Sequence, residues 1–159
     1  MLFVDSELNV AEENAKLAFD HLVIWSNKNT LILNDTKTVS IVFQRSDSHQ
    51  SLNSTFTLRS SIKVLGVSFD DNLQWCGHVE DLCNKLHKAC FALRKLKTHC
   101  SRNILPALYY ASVYSHIRYG IVHWGTCSQI NRVFVLQKYA VRIIAGVRRR
   151  QTCRSLFIV

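Results

Sequence analysis

Tyr119-Gly120-Ile121-Val122-His123-Trp124-Gly125, followed by Leu136-Gln137-Lys138-Tyr139-Ala140-Val141-Arg142-Ile143-Ile144, sets the character of the second half of this chain. The run from about Gln129 to Ala145 reads as a helix. Gly146 is its stop, because glycine enters the left-handed backbone that closes a helix without a steric penalty. Upstream, the pattern predicts another helix over about 103–115. Ser101 is its N-cap, and Pro106 is tolerated there only because it falls in the first turn. Further upstream, Val79, Leu82, Leu86, Ala89, Leu93 and Leu96 recur at helical spacing from about Gly77. Lys85, Lys88, Arg94, Lys95 and Lys97 fall mostly on the other faces. Three helices of this kind predict a bundle, with Trp124, Tyr110 and Tyr114 filling the gaps between them.

The charge is as uneven as the pattern. The 159 residues carry a formal +9, but residues 81–159 hold 14 Lys and Arg against one acid, Asp81. Residues 1–80 hold 6 Lys and Arg against 10 acids. A half that basic points to a polyanionic partner. The run Arg148-Arg149-Arg150 is the best phosphate-contact candidate, joined by Lys138 and Arg142, since guanidinium pairs with phosphate oxygens through two parallel donors. A solvated basic tail is the competing reading of the same run.

The first half reads differently. Ala11, Ala15, Ala18, Leu22 and Trp25 share one face of a helix over about 11–27, with Glu12 and Glu13 in its first turn. Val39, Ile41 and Phe43 alternate with Ser40, Val42 and Gln44 in the pattern of a half-buried strand. Residues 45–54 are a polar loop, and Phe56 and Leu58 suggest a short strand. Ile62 to Phe69 is a richer strand interrupted by Gly66, where a bulge or a close backbone approach is expected. Asp70-Asp71-Asn72 ends it. The fold class expected is α+β: a small antiparallel sheet with one helix, then a helical bundle, divided as 1–72 and 73–159.

Hydrophobic residues make up 48% of the chain, with one Pro and five Gly, enough for a real core and unlike a disordered segment. No run of eighteen apolar residues is present, and the N-terminal residues lack a secretory leader. A cytoplasmic or nuclear location follows as the expectation, with no membrane partner and with the six cysteines as reduced thiols. The apolar ending Leu156-Phe157-Ile158-Val159 reads as cut short.

The order of motifs resembles the rear part of a non-LTR retrotransposon (LINE or jockey-like) reverse transcriptase. Trp25-Ser26-Asn27-Lys28-Asn29-Thr30-Leu31-Ile32-Leu33-Asn34-Asp35-Thr36-Lys37-Thr38 resembles the family's W-x3-N-x-L-x-x-N-x-x-K-T segment. Val64-Leu65-Gly66-Val67-Ser68-Phe69-Asp70-Asp71-Asn72-Leu73-Gln74-Trp75, then His78, resembles its L-G-V-x-h-D-x-x-L-x-W-x-x-H segment. Tyr119-Gly120, Trp124-Gly125, Leu136-Gln137-Lys138 and Leu156-Phe157 resemble its thumb. The resemblance spans nearly the whole chain. It implies a palm remnant followed by a thumb and a template–primer of RNA and DNA as partner. It also implies a possible palm lysine at Lys37 and a primer-grip hairpin at Leu65, Gly66 and Val67.

The same resemblance exposes a gap. Polymerisation uses paired carboxylates that hold two divalent metals, Mg2+ in the intact enzyme. The family places them in an aromatic-Ala-Asp-Asp motif just before the helix that ends at Trp25. Either Met1-Leu2-Phe3 follows directly after that motif, or Phe3-Val4-Asp5-Ser6 is a decayed copy with Ser6 in place of the second acid. Phe69-Asp70-Asp71 is no substitute, since the motif needs a residue between aromatic and acids. The expectation is therefore a fragment without catalytic residues or a cofactor of its own, inactive alone. A basic nucleic-acid-binding module or a decayed mobile-element remnant is the alternative. Cys83, His87 and Cys90 share one helical face, as zinc ligands would, with His78 or Cys76 as a conceivable fourth. Buried thiols beside Leu86 are the favoured account.

Overall fold

The computed structural model describes residues 8–34, 37–43, 59–101, 103–148 and 150–157. The expectations for Met1 to Ser6, for the loop over 45–54 and for the strand at Phe56 and Leu58 lie outside the described residues. The chain forms two compact units, Met1–Ser60 and Ser61–Val159.

In the first unit, α1 spans Leu8–Lys28. It starts before the expected Ala11, so Glu12 and Glu13 sit past the first turn. Glu12 instead pairs with Lys16 one turn on, at 3.2 Å. Ala11, Ala15, Ala18 and Leu22 form the half-buried face, but Trp25 is 55% exposed. Ser26 is buried, and its hydroxyl donates to the Leu22 carbonyl within the helix. The alternating segment at 39–43 does not become a regular strand. Ser40 makes an isolated bridge, its carbonyl accepting from the Arg59 N–H at 3.1 Å. Alternation marks a segment able to pair, and a strand forms only where a partner supplies a full ladder.

The second unit opens with a hairpin. β1 (Ser61–Val64) and β2 (Val67–Asp70) pair antiparallel, with Ser61 opposite Asp70 and Val64 opposite Val67. The expected single strand is thus two, and Gly66 marks a turn and not a bulge. Leu65 and Gly66 both have positive φ, 50° and 86°, the two-residue loop whose twist matches that of the flanking strands. The hairpin was read from sequence as part of the first portion, and it packs here with the helices.

The helices follow: α2 (Cys76–Leu96), α3 (Ile104–Tyr109), α4 (Ser115–Arg118), α5 (Ile121–Trp124) and α6 (Ile130–Ala145). A final 3-10 turn covers Arg154–Phe157. α2 and α6 match the predicted helices closely, and Gly146 ends α6 at φ 73°. α3 and α4 are one helix interrupted by a π turn, Tyr110–Tyr114. An unbroken 3.6-residue period from Leu105 would bring Ser112 and His116 to the core face. The residues that are buried are Leu105, Val113 and Ile117, the last two each one place later. One residue inserted into the helical turn accounts for that shift.

The core lies between α2, the α3–α4 helix and α6. Val79, Leu86, Leu93, Val113, Trp124, Val133 and Ala140 are at its centre. At about 25 cal/mol per Å2 of apolar surface removed from water, each large side chain contributes about 1.5–3 kcal/mol. Trp124 fills a gap as expected, fully buried, but Tyr110 and Tyr114 do not. Tyr110 is 58% exposed, and the two rings stack edge to face along the outside of the helix.

Candidate nucleic-acid interface

The hairpin turn is fastened to the segment after α4. The Tyr119 hydroxyl donates to the Leu65 carbonyl. Val67, buried, reaches the backbone of Gly120, where a Cβ would lie 3.3 Å from its methyl carbon. Gly120 also has φ 65°, a backbone that a side chain would strain. Trp124 donates from its indole N–H to the Tyr119 carbonyl at 3.1 Å, closing α5 under the hairpin. A Cβ on Gly125 would lie 2.5 Å from the Ile121 carbonyl oxygen. Each residue of the Tyr-Gly and Trp-Gly pairs therefore has a physical task in one joint. Of the three hairpin residues, only Val67 is buried, while Leu65 projects into solvent at 87% exposure.

The turn from β2 into α2 carries two more left-handed residues, Leu73 (φ 51°) and Trp75 (φ 63°). Such residues cost roughly 1–3 kcal/mol each and persist where their surroundings over-determine them. Asp70 does so here. Its two carboxylate oxygens accept from the Gln74 N–H at 2.8 Å and the Trp75 N–H at 2.9 Å. Trp75 then packs against Phe69 at 5.1 Å between ring centroids. Asp70 is thus a backbone clamp, and it does not pair with Asp71, whose carboxylate accepts from Asn72.

A cleft of about 300 Å3 lies beside this joint. Its walls are the Gly66 turn, His78, Asp81, Leu82 and Lys85 on α2, and Ser115, His116 and Tyr119 beyond the π turn. His78 is buried, and its Nδ1 accepts from the Ser68 N–H at 3.3 Å. Its ring lies between Trp75 and Trp124, at 6.4 and 5.8 Å. Burial lowers its pKa below the usual histidine value. Lys85 and Lys63 push the same way, and Asp81 opposes them. Sequence reasoning met His78 as a motif residue and as a conceivable fourth zinc ligand, and not as a buried ring beside Trp75 and Trp124. The π turn that precedes Ser115 and His116 left no mark in the sequence, since Leu105, Val113 and Ile117 also fit an ordinary apolar helical stripe.

The basic candidates separate. Lys138 lies over the Phe134 ring at 3.8 Å, and the Arg142 Nε donates to the Gln151 carbonyl at 2.9 Å. Arg142 therefore ties the segment after α6 to that helix as well as carrying charge. Arg148 and Arg150 are exposed, and Arg149 lies outside the described residues. On α2, Arg94 sits over Tyr139 at 5.4 Å and Lys95 over Phe91 at 5.8 Å. The Phe91 and Phe134 rings are exposed and Tyr139 is half-buried, and cations over exposed rings suit bases and phosphates together. Lys37, in the first unit, is exposed, and its N–H donates to Asn34 at 3.1 Å. The structure does not bring it together with any carboxylate pair among the described residues.

Cys83 and Cys90 are buried thiols, their pKa values raised by that burial, and the Cys90 thiol faces the Leu136 carbonyl. The His87 ring hydrogen-bonds the Cys83 carbonyl at 2.8 Å. Among the described residues, no three His, Cys, Asp or Glu side chains converge as metal ligands. The residues described here thus do not fit a two-metal centre. Among the described residues, no helix is long and apolar enough to cross a membrane. Compared with known proteins, the chain matches no family model, no curated protein and no solved structure.

Proposed function

We propose that this chain is the rear part of a non-LTR-type reverse transcriptase, the end of a palm followed by a thumb, and that it holds nucleic acid without polymerising it. The observation that carries the reading is the joint of the hairpin with Tyr119. Leu65-Gly66-Val67 and Tyr119-Gly120 lie 54 residues apart and are two of the motifs on which the resemblance rests. Their contact gives both motifs one shared purpose, holding a strand-gripping turn against a helical support. The basic surface supplies the grip. Residues 61–159 hold 15 Lys and Arg against 4 acids. No residue here is assigned to the chemical step, because the carboxylate pair is missing from the sequence and Asp70 is engaged with backbone.

The test is a binding and extension experiment with the 159-residue chain and an RNA template bearing a DNA primer. Binding should fall by orders of magnitude between 50 and 200 mM salt, as expected when about 6–10 phosphates are contacted. Extension with deoxynucleotides and Mg2+ should be absent. Robust synthesis, or salt-independent binding, would overturn the proposal. The charge alone equally favours a second reading, a sequence-independent nucleic-acid-binding module. Equal affinity for the template–primer and for duplex DNA of the same length would favour that module.

A further inference from the structure

We infer that His78 is an acid-sensitive latch, which fastens the β1–β2 hairpin to α2 while its ring is neutral and releases the hairpin when the ring is protonated. In a hairpin with a two-residue loop, the pair flanking the loop exchanges the ladder hydrogen bonds. Here that pair is Val64 and Val67, so the next pair, Lys63 opposite Ser68, exchanges none. The Ser68 N–H therefore points away from β1, along the outer edge of a two-stranded sheet. His78 Nδ1 accepts it at 3.3 Å. A neutral imidazole can do so because one nitrogen is an acceptor. A protonated ring is a donor at both nitrogens and cannot. Trp75 and Trp124, on either side, would attract an imidazolium. Neither returns an acceptor to the Ser68 N–H, so the bond is lost all the same.

The element it holds is marginal. Two strands of four residues do not hold together in water by themselves. The Tyr119 hydroxyl also fastens the hairpin, but its acceptor is the Leu65 carbonyl, which keeps its lone pairs in acid. The His78 ring is buried, yet it forms part of the cleft wall, so a proton reaches it without unfolding. Burial, Lys85 two turns along α2 and Lys63 on β1 oppose that proton, and Asp81 one turn along α2 favours it. His116 of α4 lines the same cleft, and the His123 ring of α5 lies against Trp75 at 6.3 Å. Once released, the ring is in water and returns toward its ordinary value of 6.5. The released state then binds the proton more readily than the fastened one. Release therefore grows as pH falls below 6.5 and levels off at the lower fastened value, by at most about tenfold per pH unit for one proton. The inference does not depend on the reverse-transcriptase reading.

The experiment is amide hydrogen exchange of the full 159-residue chain, read by NMR between about pH 7.5 and about pH 5.5. Protection factors remove the intrinsic pH dependence of exchange. The Ser68 amide and the ladder amides of Val64 and Val67 should lose up to about tenfold in protection in acid. That loss should come through a local opening, which urea below the unfolding transition barely changes. The Leu86 and Val133 amides, at the centre of the core, should exchange through unfolding of the whole unit and quicken with urea. His78→Gln carries an amide oxygen that can accept at either pH, and should make hairpin protection independent of pH. His116→Gln and His123→Gln should leave the acid loss in place. Lys85→Ala should move its levelling-off to higher pH and Asp81→Asn to lower pH. Both residues are exposed, so this pair tests the latch even if His78→Gln does not fold. Hairpin protection unchanged in acid, a urea dependence equal to that of the helices, an acid loss that survives His78→Gln, or a levelling-off that neither charge variant moves would each overturn the inference.

Discussion

The two units handle the same kind of pattern with opposite results. α1 has an apolar face at helical spacing, as α2 does. Yet every buried hydrophobic residue among the described ones lies at Val67 or beyond. Along the first unit Trp25 and Ile32, the latter 98% exposed, stand in water. In the second, Val79, Leu86 and Leu93 of α2 are sealed by α6 and the α3–α4 helix. Periodicity makes a helix that can be buried. Only a second and third layer in the right place bury it, and the stabilisation comes from that burial.

The contrast can be broken most sharply at Trp124. Trp124→Ala removes the largest fully buried side chain and should cost about 3–5 kcal/mol, unfolding the second unit at lower denaturant. Urea titration followed by far-UV circular dichroism reads it. A loss under about 1 kcal/mol would mean that this core is not the source of stability.

Next come the glycines of the joint. Gly120→Ala should cost about 1–2 kcal/mol from its left-handed backbone alone, with the Val67 contact adding to it, measured by the same titration. Gly125→Ala should disrupt α5, because the obstacle is a backbone oxygen that cannot move aside. Tyr119→Phe is gentler, about 0.5–1.5 kcal/mol for one hydrogen bond. Its signature is local, a faster exchange of the hairpin amides with the α2 and α6 amides unchanged.

His78 gives a pH dependence with a fixed sign. Its folded pKa lies below the unfolded value of 6.5. The unfolded chain therefore binds the proton more readily, and stability must rise with pH through that window. The contribution is complete above 6.5 and is lost as pH falls through the folded pKa. Protonation also puts a second donor against the Ser68 N–H, so the Ser68 amide should shift in the NMR spectrum over the same range. His78→Gln should flatten both responses. The smallest effect is expected in the first unit, where Ile32→Ser should change stability by less than about 0.5 kcal/mol. A larger loss would show that this exposed residue supports a packed layer after all.

Much of the second unit was legible because its signals are local. The spacing from Val79 to Leu96, the Gly146 stop and Pro106 in a first turn each act within a few residues. The first unit was less legible. The alternation at 39–43 has the right period, but a strand is completed by its neighbour, and only Ser40 finds one among the described residues. The polar site divided in the same way. Arg148 and Arg150 could be named from charge alone. Lys138 over Phe134 is an i,i+4 pair that helical spacing allows, but that Arg142 would tie down Gln151, or that Asp70 would clamp a backbone turn, depends on contacts that no spacing rule predicts.

The amino-acid order by itself determined the long helices, Gly66 as an irregular point in an extended segment, and the basic excess of the second half. Propensity, glycine's backbone freedom and charge are properties of residues and short windows. Tertiary structure decided what those pieces do. It alone brought Tyr119 to Leu65 and Val67 to Gly120, and placed His78, Lys85, Ser115 and His116 around one cleft. The physical reason is that close packing and hydrogen-bond satisfaction belong to groups that meet in space, and which groups meet is settled only when the whole unit closes around its core.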